Sequence, residues 1–100
     1  MIQLDFKKVN EAAMVLRSMK NPLRQKLIKL IDEEPGIIVT DIFVKLRLDQ
    51  SVASQHLAVL RQAGIVRTER EGKSIHYYID HDNIKAISPL VDQLAVFFRG

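Results

Sequence analysis

The apolar residues of this chain change period after Gly64, and that change limits what it can fold into. Up to Gln62 they recur at steps of three and four; from Ile65 to Ile79 they recur at every second position. The first pattern is that of amphipathic helices and the second that of strands. Phe6, Val9, Ala13 and Leu16 predict a first helix over residues 5–19. Asn21-Pro22 restarts the chain, with Asn21 as N-cap and Pro22 at the first helical position. The second helix then runs to about Glu33, burying Leu23, Leu27, Leu30 and Ile31, until Pro35-Gly36 ends it. Thr40 is expected to cap a short third helix carrying Ile42, Phe43 and Leu46. After a turn through Arg47, Leu48 and Asp49, a fourth helix spans about Gln50 to Gln62, closed by Gly64.

Residues 65–70 and 74–79 read as two strands around Glu71-Gly72-Lys73, with Ile75, Tyr77 and Ile79 on one face and His76 and Tyr78 on the other. The last segment is helical again, about 82–98. Pro89 sits badly inside a helix, so that helix should start at Ser88-Pro89 or kink there. The expected class is mainly α with a small β-hairpin, in the order α-α-α-α-β-β-α, as one domain over residues 1–100.

Two short helices joined by a tight turn, the second facing outwards, make a helix-turn-helix, and the hairpin after it makes a wing. On the fourth helix Ser51, Ser54, Gln55, Ala58, Arg61 and Gln62 share one stripe, opposite Ala53, Leu57 and Leu60, which Val52 and Val59 flank. Between Gln50 and Thr68 there is no acidic residue, although the chain has 12. The formal charge is +3, and residues 45–73 supply all of it. Such a face suits a polyanion. Gln can pair with an adenine edge, Ser can donate or accept, and Ala58 permits close approach. Arg61 is placed for a phosphate, as is the helix N-terminus with Ser51 and its backbone N–H groups. Arg67, Arg70 and Lys73 on the hairpin suit the DNA backbone or the adjacent minor groove. An ordinary solvated helix face would carry the same residue types, and the order of elements decides for DNA.

Residues 20 to 79 also resemble a known family, the winged helix-turn-helix of the ArsR/SmtB bacterial repressors. NPLRQKLIKLI is similar to that family's P-x-R-x-x-I-L-x-x-L opening. QSVASQHLAVLRQAGIV is similar to its S-x-x-S-x-H-L-x-x-L-x-x-A-G-L-V recognition-helix signature, and REGKSIHYYI to its R-x-G-x-x-x-x-Y-x-L wing. The resemblance implies a dimeric DNA-binding transcription factor whose first and last helices form the dimer interface. It makes Gln50, Ser51, Ser54 and Gln55 the expected base readers. His56 matches the signature histidine, which either touches the DNA backbone or packs.

The interface is expected to draw on Phe6, Val9, Ala13 and Leu16 from the first helix and on Leu90, Val91, Leu94, Phe97 and Phe98 from the last. Phe6, Leu16, Leu94, Phe97 and Phe98 are in any case too many large apolar groups for a domain of this size to hide. Where the family's metal sensors carry ligands, this chain departs from it. Residues 39–47 read VTDIFVKLR, without the thiolate pair. Asp80, His81 and Asp82 have no partners in residues 90–98, LVDQLAVFF. A His-Asp cluster at a helix start is more often a cap than a metal site.

Other classes find less support. There is no cysteine, which excludes disulfides, thiolate metal sites and cysteine nucleophiles. The three histidines lie on different elements, and the four glycines are isolated, so neither a catalytic triad nor a phosphate loop assembles. The chain is not expected to be an enzyme and needs no cofactor or metal. The N-terminal stretch has neither a signal peptide's apolar core nor a membrane-spanning run, so a cytoplasmic protein is expected. The expected function is a homodimeric regulator, a repressor, on an inverted-repeat operator of double-stranded DNA, released by an effector ligand, by a protein partner or simply by a change in its own concentration. The alternative is a winged-helix module for RNA or for a protein partner.

Overall fold

The computed structural model describes residues 6–89. Its elements are α1 (Phe6–Met19), α2 (Pro22–Glu33), β1 (Ile37–Ile38), α3 (Val39–Leu46), α4 (Gln50–Gln62), β2 (Val66–Glu71) and β3 (Ser74–Ile79). A final helix, α5, occupies residues 81–89 as far as the description reaches. The four N-terminal helices and the hairpin follow the sequence reading closely.

Local chemistry sets most boundaries. The Asn21 side chain accepts from the backbone N–H of Leu23 and Arg24 at 2.9 and 3.2 Å, with Pro22 at the first helical position of α2. At the far end of α4, Gly64 takes φ +75°. Its N–H donates to the Arg61 carbonyl, and the Ile65 N–H to the Leu60 carbonyl, both at 3.0 Å. This paired closure needs a residue tolerant of positive φ. Gly72, at φ +62°, opens the two-residue turn between Glu71 and Ser74, which pair across the hairpin.

Several details differ from the sequence reading. Thr40 does not cap α3: the helix begins at Val39, with Ile38 before it and no side-chain cap. The reason is β1, a strand too short to show as a period. It pairs antiparallel with β3, Ile37 opposite Tyr77 and Ile38 opposite His76, and so delivers the chain directly into α3. The sheet order is β1-β3-β2. α5 starts at residue 81, beside the residue 82 of the expected range, so a start at Ser88-Pro89 does not apply. Asp80 initiates it, its carboxylate accepting the Asn83 N–H at 3.1 Å and its carbonyl the Ile84 N–H at 3.0 Å. Residues 90–98, including Leu90, Val91, Leu94, Phe97 and Phe98, lie outside the described residues.

One core joins all the elements. Leu27 and Ile31 of α2, Ile42 of α3, Leu57 and Leu60 of α4, Ile65, and Val66 and Ile79 at the base of the hairpin are buried together with Val15 of α1. Leu23 and Leu30 of α2 are only half-buried. The hairpin leaves this core as it lengthens: Val66 and Ile79 face each other inside it, whereas Arg70 and Ile75 near the tip are exposed.

α1 spends only one side on the core. Ala12, Val15 and Ser18 are buried, and the Ser18 hydroxyl is satisfied by the Val15 carbonyl at 2.8 Å. The other apolar stripe is left over. Phe6 is 74% exposed, and Val9, Ala13 and Leu16 are half-buried.

Candidate nucleic-acid interface

The outward stripe of α4 forms as its spacing implies. Ser51, Ser54, Gln55, Ala58, Arg61 and Gln62 are all exposed, while Ala53, Leu57 and Leu60 are buried. Gln50, at the first position of the helix, is exposed as well. Val52, which flanks the buried line in the sequence, is 41% exposed.

The helix N-terminus is not the open phosphate site that the sequence suggested. Asp49 precedes it, and its carboxylate accepts from the backbone N–H of Ser51 at 2.8 Å and of Val52 at 3.4 Å. Those donors already have an anion. Asp49 could have been found in the sequence, being a capping residue type directly before the helix.

On one flank of α4 stands the hairpin. Ser54, Leu57, Ala58, Arg61, Gln62 and Tyr77 line a groove of about 470 Å³ between them. Burial raises the Tyr77 phenol above its ordinary value of 10.0, with the nearby Arg61 charge acting in the opposite direction. At neutral pH the phenol is therefore protonated and able to donate at the groove edge.

The wing cations are not equivalent. Arg67 pairs with Glu69 at 2.8 Å and lies over the Tyr78 ring, 4.4 Å from its centroid. Its guanidinium is therefore held between the Glu69 carboxylate and the Tyr78 ring. Glu71 comes within 3.6 Å of His76, whose Nδ1 lies 2.8 Å from the Gly36 carbonyl. Arg70 and Lys73 are exposed and, among the described residues, enter no ion pair. They are the wing charges best placed for an external anion.

On the other flank His56 is half-buried, and its Nδ1 accepts from Arg24 Nε at 3.1 Å. The structure thus gives the signature histidine a packing partner on α2, and it leaves Nε2 for another contact. Arg24 is the arginine of the P-x-R opening, but its pairing with His56, 32 residues away, is not visible in the sequence.

The Asp80-His81-Asp82 cluster is dispersed. Asp80 caps α5, and His81 Nε2 lies 3.8 Å from an Asp32 carboxylate oxygen on α2. Among the described residues, no three His, Cys, Asp or Glu side chains are grouped to hold one metal ion. No described helix is long and apolar enough to cross a membrane.

Comparison with known proteins agrees with this geometry. The sequence pattern described as "Bacterial regulatory protein, arsR family" matches residues 21–68, from the cap of α2 into β2. An HTH-type transcriptional regulator of Methanocaldococcus jannaschii is 36% identical over 89 residues, covering 89% of this chain and 100% of that protein. The solved structure of HlyU from Vibrio cholerae superposes with a TM-score of 0.68 at 30% identity, covering 85% of this chain and 91% of that one. The transcriptional repressor PagR of Bacillus anthracis gives a TM-score of 0.70 at 29% identity, with 87% and 99% covered.

Proposed function

Because the chain belongs to the arsR family of DNA-binding transcription regulators, we propose that it acts as a homodimeric repressor, reading an inverted-repeat operator with α4 in the major groove. The observation that carries this reading is the α4 stripe. Six polar or small side chains are exposed along one line, none of them acidic, on a helix whose opposite side is locked into the core. Gln50, Ser51, Ser54 and Gln55 are the base readers in this reading, through the amide and hydroxyl pairings that a major groove offers. Arg61, Arg70 and Lys73 contact phosphates, and Arg67 stiffens the wing against Tyr78.

The dimer is supported by the apolar surplus of α1. Phe6, Val9, Ala13 and Leu16 form a stripe that the chain's own core does not consume, and a second copy would cover it. Two recognition helices related by a twofold axis then meet half-sites one helical turn apart. Repression follows from occupancy, since a protein seated across a promoter excludes other proteins from it. The relatives show that the sign of control varies between members: HlyU is described as an activator and PagR as a repressor.

A gel shift with duplex, single-stranded DNA and RNA of one sequence tests the proposal. Preferential retardation of the duplex supports it, whereas preference for a single strand would favour an RNA-binding module. Binding to none of them would favour a protein-interaction module.

A further inference from the structure

The recognition helix has two flanks, and only one faces the wing. At about 100° per residue, Leu57 and Arg61 turn towards Tyr77, whereas Val52 and His56 turn towards α2. On that second flank the Arg24 guanidinium is tied to α4 through His56. Arginine is a donor only, so His56 Nδ1 must present its lone pair, and the proton of the neutral ring sits on Nε2. Nε is just one of the guanidinium's donors, and its two Nη groups stay available to a further acceptor.

The chain on either side of Arg24 carries charge of one sign. Between Glu11 and Asp32 the sequence has no acidic residue and five basic ones: Arg17, Lys20, Arg24, Lys26 and Lys29. Arg17 and Lys20 occupy the corner where α1 passes into α2, and both are exposed. The wing, by contrast, alternates its cations with Glu69 and Glu71. The corner is thus the less compensated of the two basic surfaces beside α4.

We propose that the α1–α2 corner, anchored to the recognition helix by the Arg24–His56 hydrogen bond, is a second phosphate-binding surface that grips the DNA backbone on the flank opposite the wing. The inference rests on the reading that α4 enters the major groove. Arg24 supplies a planar fork suited to phosphate oxygens, His56 Nε2–H a neutral donor beside it, and Lys20 a mobile charge further out. His56 thereby couples the corner to the base-reading stripe: it fixes where the guanidinium sits relative to Gln55, one residue away on the same helix.

The test uses the full chain and a duplex that the wild-type protein enriches from a random library. Affinity is measured over a range of salt concentrations for Arg24→Gln, Lys20→Ala and Lys73→Ala, with ethylation interference mapping the phosphates that matter. Arg24→Gln and Lys20→Ala should each weaken binding to enriched and scrambled duplexes alike and flatten the salt slope by about 0.9. The phosphates they release should differ from those released by Lys73→Ala. Lys20 is exposed, so its variant reports on contact even if Arg24→Gln perturbs folding. If Lys73→Ala flattens the slope and neither corner variant does, the inference is overturned while the α4 reading stands. If the wild type enriches no duplex, both fall.

Discussion

The Asp49 carboxylate accepts the backbone N–H of Ser51 at 2.8 Å, placing an acid at the entrance of a helix otherwise free of them. In the proposed binding mode it serves the fold at some cost to the interface, because the same charge would face incoming phosphates. Asp49→Ala should lower stability by about 1 kcal/mol through loss of the cap. Asp49→Asn keeps an accepting oxygen and removes the charge, so it should hold stability within a few tenths of a kcal/mol and tighten duplex binding several-fold at low salt. Chemical denaturation and anisotropy titrations at two salt concentrations separate these effects. Weaker DNA binding by Asp49→Asn would place the carboxylate away from the backbone.

Gly64 and Asn83 tie the recognition helix to α5. Asn83 Nδ2 donates to the Gly64 carbonyl at 2.8 Å, and a Cβ on Gly64 would run into that same amide. Gly64→Ala meets both the φ of +75° and this collision, so it should destabilise the fold by about 1–3 kcal/mol. Asn83→Ala should cost about 1 kcal/mol, leaving the carbonyl without its partner. Thermal unfolding of the two variants checks the order of their effects, and Asn83→Ala as the more damaging would reverse it.

Base reading and backbone gripping should separate by mutation. Ser54→Ala with Gln55→Ala should relax sequence preference, at about 1–3 kcal/mol for each lost base pairing. Arg70→Ala and Lys73→Ala should weaken binding to all duplexes and reduce the salt slope by about 1 each. Arg67→Ala should affect the slope less, because Glu69 already shares its charge. Competition binding against single-base operator variants distinguishes the groups; altered base preference from wing changes alone would exchange the assigned roles.

The partly exposed apolar stripe of α1 predicts that Phe6→Asp with Leu16→Asp yields a monomer of about 11.5 kDa in sedimentation equilibrium, where the wild type sediments as a dimer. Operator affinity should fall with it, since two half-sites no longer act together. A wild-type monomer at micromolar concentration would remove the dimer from the account.

The helices and the hairpin were legible because their apolar periods are long and their punctuation is explicit: Asn21-Pro22, Pro35-Gly36 and Gly64 each mark a real boundary. β1 was not legible, since two isoleucines carry no period and their strand character exists only opposite Tyr77 and His76. The α5 start lies within one residue of the expected range, and the capping carboxylate of Asp80 explains why it precedes Ser88-Pro89. Within the interface, the exposed stripe followed from spacing alone. What spacing could not give was the pairing of side chains from different elements. Arg24 with His56 is one case, and Arg67 spread over Tyr78 is another.

In-vitro selection from random duplexes, followed by affinity measurement on the enriched sequence, tests the central claim most directly. The account predicts an inverted repeat with half-site centres about one helical turn apart, bound by two copies of the chain and weakened by Ser54→Ala with Gln55→Ala. No enrichment, or enrichment of a motif without twofold symmetry whose binding ignores those two residues, would contradict it.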